Sequence, residues 1–314
     1  MINLIKPKFW SRKIGLISLI LLPISLLYFI IILFKKNFSK VRTFKIPIVC
    51  VGNIYIGGTG KTPTTIHIAK ELSKIKMKPA ILRKFYEKHN DEYNLIKSEF
   101  KHLVLNKNRI DALKSLEGSD FDIVILDDGL QDYRIKIDLK IVCFNHNQLI
   151  GNGFVLPSGP LREGLGALKN ADVVLINGDE DIKFEKKILN INGNLEIFYS
   201  FYEPINLNEF KNKRLFAIAG IANPENFFQI LEKNNLEIEK KFIFPDHYKF
   251  SSNEMMKIID EAERKNCQII MTEKDYFKIN HFNLDKVKYL KVILKIHHQD
   301  KFLDKIKKLN NENY

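Results

Sequence analysis

An apolar, β-branched run over residues 46–51 is followed within a few residues by Gly57-Gly58-Thr59-Gly60-Lys61-Thr62-Pro63, and an amphipathic, helix-like stretch starts there. Few backbones satisfy strand, glycine-rich loop and helix in that order. Glycines let successive N–H groups turn inward around an oxyanion, and the helix N-terminus adds its dipole. The Lys61 ammonium is placed to reach β and γ phosphates, and the Thr62 hydroxyl to bind Mg²⁺. Pro63 suits the first turn, where an absent N–H costs nothing. The common form of the pattern has a glycine five residues before Gly60, where this chain has Tyr55. A plain glycine turn at a strand end is the alternative reading.

A second apolar run, Phe121–Leu126, ends in Asp127-Asp128-Gly129. Carboxylates at the C-terminal edge of a parallel strand lie where ligands bind in open α/β sheets, and one of these two can hold Mg²⁺. The pattern leaves open which one. Partition-type ATPases carry a lysine just before the first glycine; that residue is Ile56 here. Thr272-Glu273-Lys274-Asp275 resembles a guanine-reading motif, but its lysine stands one place late.

The rest of the chain alternates strand-like and helix-like stretches. Expected strands are 46–51, 79–82, 121–126, 140–144, 171–176, 195–201, 215–219, 241–244, 268–271 and 289–293. Expected helices follow Lys61 and cover 110–117, 224–233 and 252–265. The fold class this implies is α/β: a mostly parallel, P-loop NTPase-like sheet and a second, smaller α/β lobe. Expected divisions are 1–45, an N-terminal basic and hydrophobic membrane helix; 46–204, the phosphate-binding domain; and 205–314, the smaller lobe. Cys50, Cys143 and Cys267 all lie in apolar contexts and read as buried thiols in a reducing compartment. His297-His298 would point to opposite faces of a strand and so chelate poorly.

The net charge of +13 is concentrated at the start. Residues 1–45 hold nine basic and no acidic residues. These bracket Ile14–Phe34, which are 21 residues without a charge. As one helix they would be about 31 Å long, close to a bilayer's hydrocarbon thickness. Pro23 can kink it, so both a spanning and a half-inserted helix are open. The lysines suit an anionic membrane surface. Basic residues gathered around an apolar run argue against a nucleic-acid partner, and nothing points to an obligate protein partner.

Several blocks together resemble the tetraacyldisaccharide 4′-kinase family of lipid A synthesis. They are residues 51–53 with 58–63, Asp127-Asp128-Gly129-Leu130-Gln131-Asp132-Tyr133-Arg134, 151–153 with 156–163, 219–224, Pro245-Asp246-His247, and 271–275. The resemblance implies transfer of the ATP γ-phosphate to the 4′-hydroxyl of a tetraacylated glucosamine disaccharide 1-phosphate. Its cofactors would be ATP and Mg²⁺. It would take place on the cytoplasmic face of the inner membrane of a Gram-negative-type bacterium, with residues 14–34 as anchor. By family position Asp91 becomes the catalytic carboxylate accepting the hydroxyl proton, and His247 its partner. From the residues alone, Asp91 sits in a polar loop, His89–Asn94, of the kind that is usually solvated. Arg162 is a candidate for neutralising charge on the transferring phosphoryl group and Glu163 for holding Mg²⁺, with a surface ion-pair loop as the alternative. The family's Ser-Arg-Gly-Tyr-Gly block appears as Leu82-Arg83-Lys84-Phe85-Tyr86, which implies an altered acceptor pocket. A membrane-bound ATPase switch that phosphorylates nothing is the competing function.

Overall fold

The computed structural model describes residues 7–11, 14–87, 89–246, 248–279, 282 and 284–311, with backbone alone at Asp91, Asn310 and Asn311. His247 and the side chain of Asp91 therefore lie outside the described residues. The strands are β1 (Ile48–Gly52), β2 (Pro79–Lys84), β3 (Leu103–Asn106), β4 (Ile123–Asp127), β5 (Leu139–Asn145), β6 (Val173–Asn177), β7 (Glu196–Pro204), β8 (Arg214–Ala219), β9 (Glu237–Ile243), β10 (Gln268–Thr272), β11 (Val287–Leu290) and β12 (Val292–Ile296). The helices are α1 (Leu16–Ile20), α2 (Leu22–Phe38), α3 (Lys61–Lys74), α4 (Asn90–Glu99), α5 (Arg109–Glu117), α6 (Ile182–Leu189), α7 (Pro224–Lys233), α8 (Ser252–Arg264), α9 (Glu273–Ile279) and α10 (Gln299–Asn311).

Two compact units divide these elements. The larger holds an eight-stranded sheet in the order β12-β7-β6-β5-β1-β4-β2-β3, parallel from β7 through β3. The smaller holds a four-stranded parallel sheet, β11-β10-β8-β9. The expected α/β class with a mostly parallel sheet is observed. The larger sheet's central strands are fully buried, which explains their near-continuous Val, Ile and Leu content. One core gathers Cys50, Leu82, Leu113 and Leu126 with α5; another gathers Phe144, Ile176, Phe184 and Ile188 with α6.

The division departs from the expected boundary at 204/205. Among the described residues, 295–311 belong to the larger unit, and 87 and 89–99 to the smaller. The chain crosses between units within β7 and β12. The expected strand 289–293 is two strands, because Lys291 leaves the ladder: its N–H donates to Asn206 Oδ1 (2.9 Å) and its carbonyl accepts from Ile205 (3.0 Å). Nor is 89–94 a loop. It begins α4, which buries Tyr93 and Ile96 at helical spacing, with Phe100 following just past its end. Cys50 and Cys143 are buried and burial pushes both thiols up to about 12, while Cys267 is only half-buried.

The N-terminal segment corrects a further expectation. Among the described residues no helix is long and apolar enough to cross a membrane. The apolar run breaks at Leu21, because Pro23 has no N–H to give the preceding turn and its ring would meet the carbonyl of Leu19. The resulting pair, α1 and α2, packs inside out. Ser18 and Ser25 are buried, whereas Leu16 (74%), Ile20 (67%) and Leu27 (60%) are exposed. Polar contacts hold this serine face to the 152–163 segment. Asn152 Nδ2 donates to Ser18 Oγ (3.1 Å), Ser25 Oγ donates to the Val155 carbonyl (3.1 Å) and accepts from Ser158 N–H (2.9 Å), and Tyr28 OH donates to the Arg162 carbonyl (3.1 Å).

Candidate phosphoryl-transfer site

In the larger unit, Gly57, Gly58 and Gly60 all have positive φ (72°, 61° and 86°), a backbone that side chains rarely tolerate. Gly60 forms the N-cap of α3, and Lys61, Thr62 and Pro63 make its first turn. Thr59 is buried and accepts from Asn53 Nδ2 (2.8 Å), and Thr64 Oγ1 donates back to the Gly60 carbonyl (2.9 Å). The loop is further tied to the 154–162 segment. Ile56 N–H donates to the Pro160 carbonyl (3.0 Å), Arg162 N–H donates to the Ile54 carbonyl (2.7 Å), and Tyr55 bridges Leu161. Glycine at 159 lets this segment fold tightly on itself, since a Cβ there would collide with Asn152 Oδ1 and the Phe154 carbonyl. Tyr55, where the common pattern has glycine, is thus a buried brace for the loop.

β4 delivers Asp127 and Asp128 next to this loop, with Val51 paired to Asp127 across β1 and β4. Asp127 is fully buried. Its Oδ2 accepts from Thr62 Oγ1 (3.1 Å) and is ion-paired to Arg83 Nη1, which also donates to Thr62 Oγ1 (3.0 Å). Asp128 has φ 62°, held in that left-handed turn by its N–H to the Val51 carbonyl (2.9 Å) and by Arg109 Nη2 on its own carbonyl (2.6 Å). Its carboxylate lies between Arg162 Nη1 (2.8 Å) and Lys61 Nζ (3.7 Å). Burial works to raise the Asp128 carboxyl; Lys61, Arg162 and Arg83 outweigh it and hold it below the ordinary carboxylate range. Three cations thus converge with two carboxylates beside the glycine loop, an arrangement suited to a polyphosphate.

Glu163 enters the same network one link away. Gln131 Nε2 donates to Glu163 Oε1 (2.8 Å) and to the Asn53 carbonyl (3.0 Å), and Gln131 Oε1 accepts from Arg162 (3.3 Å). Glu163 also hydrogen-bonds Tyr133, whose hydroxyl is pushed well above its ordinary value by burial and then by that carboxylate. Among the described residues no group of three or more His, Cys, Asp and Glu side chains is placed to hold a metal. The oxygen pair Thr62–Asp127 suits a hard cation that takes most of its remaining ligands from water and phosphate.

Lys61, Thr62, Asp127, Asp128, Arg162 and Glu163 therefore fall in one network. Arg83, Gln131, Asn53 and Arg109 were missed as site residues. Arg83 carried a signal only once strand order is known: β2 neighbours β4, and the register pairs Arg83 with Asp127. Asp91 and the residues flanking His247 belong to the smaller unit. There the Thr272–Asp275 motif has a local use: Thr272 Oγ1 accepts from Asp275 N–H (3.2 Å) and donates to Asp275 Oδ2 (2.7 Å), a reciprocal cap on α9.

A model of the tetraacyldisaccharide-1-P 4′-kinase family matches residues 17–100 and 87–311. The tetraacyldisaccharide 4′-kinase of Pelagibacter ubique is 41% identical over 98% of this chain and 99% of its own length. That of Wigglesworthia glossinidia brevipalpis is 33% identical over 87% of this chain and 80% of its own. Among solved structures, LpxK from Aquifex aeolicus, crystallised in complex with ATP, superposes with a TM-score of 0.72 at 23% identity, over 94% of this chain and 99% of that one. At that identity the likeness concerns the fold.

Two outcomes follow from the carboxylate pair. Arg83→Met leaves buried Asp127 without its guanidinium and lowers stability by about 3–5 kcal/mol; adding Asp127→Asn recovers part of the loss, read by denaturant unfolding. Asp128 has a lowered native pKa, so its stabilisation is full above the unfolded value of about 3.9 and is lost as pH falls through the native value. The melting-temperature gap between wild type and Asp128→Asn is accordingly widest near neutrality and closes in acid.

Proposed function

Because this chain belongs to the tetraacyldisaccharide-1-P 4′-kinase family, we infer that it transfers the γ-phosphate of ATP to the 4′-hydroxyl of a tetraacylated glucosamine disaccharide 1-phosphate, giving lipid IVA. The observation that carries this reading is the Lys61–Asp128–Arg162 and Thr62–Asp127–Arg83 network built on the glycine loop. Near-full-length similarity to named kinases supports it over an ATPase switch.

The loop amides of residues 57–61 and the Lys61 ammonium would cradle the nucleotide phosphates. Mg²⁺ would be held by Thr62 and an acid of β4; the Thr62–Asp127 hydrogen bond favours Asp127, with Glu163 a further oxygen donor. When bound, the ion neutralises charge spread over the phosphate oxygens. Arg162, already oriented by Asp128 and Gln131, would stabilise the equatorial oxygens as the bond to the leaving phosphate lengthens. The hydroxyl oxygen attacks phosphorus, its proton passes to the Asp91 carboxylate, and ADP leaves. His247 would orient Asp91 and share the proton.

The membrane is the second element of the proposal. The substrate is a lipid, and α1 and α2 expose a long apolar face while fixing their serines to the larger unit. A helix of this kind lies in the interface with its apolar side in the acyl boundary, and the flanking lysines add attraction to anionic headgroups. The protein would then work at the cytoplasmic face of the inner membrane.

Detergent-solubilised protein with ATP, Mg²⁺ and the tetraacyl disaccharide 1-phosphate should add one phosphate to the lipid, seen by mass, and Lys61→Ala should not. Asp91→Asn should lower kcat by about 10²–10⁴-fold. ATP hydrolysis with an unchanged lipid would overturn the kinase reading. For the membrane, wild type should float with anionic vesicles, and the Leu27→Glu/Ile31→Glu protein should stay in the aqueous fraction at equal folding.

A further inference from the structure

We propose that Lys274 is a positioning residue that holds the Asp91-bearing helix and the turn at Asp246, which precedes His247 in sequence, in register; this rests on the Asp91–His247 reading above. Lys274 is the second residue of α9 in the smaller unit. Its Nζ lies 3.1 Å from Asp246 Oδ1 and 3.6 Å from Glu92 Oε1, and its side chain is 17% exposed. Asp246 immediately precedes His247, and Glu92 immediately follows Asp91. One ammonium thus joins the two segments that carry the proposed dyad, which are separated by more than 150 positions in sequence.

The lysine stands where helix electrostatics oppose it. A cation in the first turn faces the positive end of the dipole. The two carboxylates compensate, and the reciprocal Thr272–Asp275 cap fixes the direction in which the first turn leaves β10. Asp275 is itself buried and anchored: its Oδ2 accepts from the Gly220 N–H (2.7 Å) and its Oδ1 from Lys278 Nζ (2.6 Å). The base of the Lys274 side chain is therefore rigid. On the other side, Glu92 Oε2 is also paired with His89 Nδ1 (3.1 Å), at the entry to α4, and α4 packs on α9. Ion pairs that are partly screened from water and anchored at both ends fix geometry better than exposed ones do.

Lys274 touches neither phosphate nor acceptor in this account, so its removal should act on turnover rather than on substrate affinity. Misplacing a reacting group by about 1 Å costs roughly 10²-fold. The test is steady-state kinetics of the full chain in detergent with ATP, Mg²⁺ and the tetraacyl disaccharide 1-phosphate. Lys274→Met should lower kcat roughly 10- to 100-fold, leave both KM values within about threefold, and leave the melting temperature close to wild type. Lys274→Arg, which can span the same two carboxylates, should restore most of the rate. In an Asp91→Asn background, Lys274→Met should lower the residual rate no further, because both act through one group. If Lys274→Met does not fold, Glu92→Gln carries the same test with the same expected signature.

Unchanged kcat in Lys274→Met beside an inactive Asp91→Asn would overturn the positioning role alone. Losses that multiply in the double variant, or a KM rise equal to the kcat loss, would also overturn it. Full activity in Asp91→Asn would overturn the dyad, and this proposal with it.

Discussion

Two adjacent carboxylates at the end of β4 are the charge that the larger unit must satisfy. Asp127 is fully buried, and Asp128 is turned into a left-handed backbone that only its neighbours make tenable. Uncompensated, a buried carboxylate would be among the most destabilising groups in the chain. The structure meets this with cations from four separate places: Lys61 from the glycine loop, Arg83 from β2, Arg162 from the segment after the Pro/Gly-rich turn, and Arg109 on the Asp128 carbonyl. Each of those cations is thereby fixed in direction. The arrangement that makes the acids tolerable is also the arrangement that can receive phosphate.

The 152–163 segment links this centre to the N-terminal helices. It supplies main-chain partners to the glycine loop at Ile54 and Ile56, and it receives the serine face of α1 and α2 at Ser158 and Asn152. Tyr28 donates to the carbonyl of Arg162, the residue whose guanidinium grips Asp128. A surface presenting Leu and Ile outward and Ser inward is ordinary only if its outer side has an apolar solvent. The anchoring of the apolar N-terminal helices and the placement of Arg162 therefore share one short stretch of backbone.

Much of this was legible in the residues. The strand, glycine loop and helix over 48–74, and the apolar run ending in Asp127-Asp128, follow from local periodicity and glycine chemistry. The parallel class followed from alternation. What the sequence could not show was anything set by strand order or by contacts across long separations. Arg83 becomes a site residue only because β2 lies beside β4. The start of α4 was read as loop because its polar residues come first and its buried stripe, Tyr93 and Ile96, is short. Pro23 marked where the apolar run could bend, but which side of the two resulting helices is buried depends on contacts with residues 152–163 that hydropathy does not register. The return of 295–311 to the larger unit left no local mark at all.

The departure from the family pattern at Leu82–Tyr86 can now be weighed in the same terms. Glycines at positions 84 and 86 would let the chain turn sharply after Arg83. Here β2 instead continues through Lys84, Phe85 N–H donates to the Asn106 carbonyl (2.9 Å), and the Lys84 ammonium lies 5.5 Å from the Tyr86 ring centroid. Arg83 needs only its register with Asp127, and that register is set by ladder pairing upstream, from Pro79 onward. Losing the glycines therefore leaves the phosphate side intact. The change falls on the exit from β2, where the chain leaves the larger unit for the segment carrying Asp91.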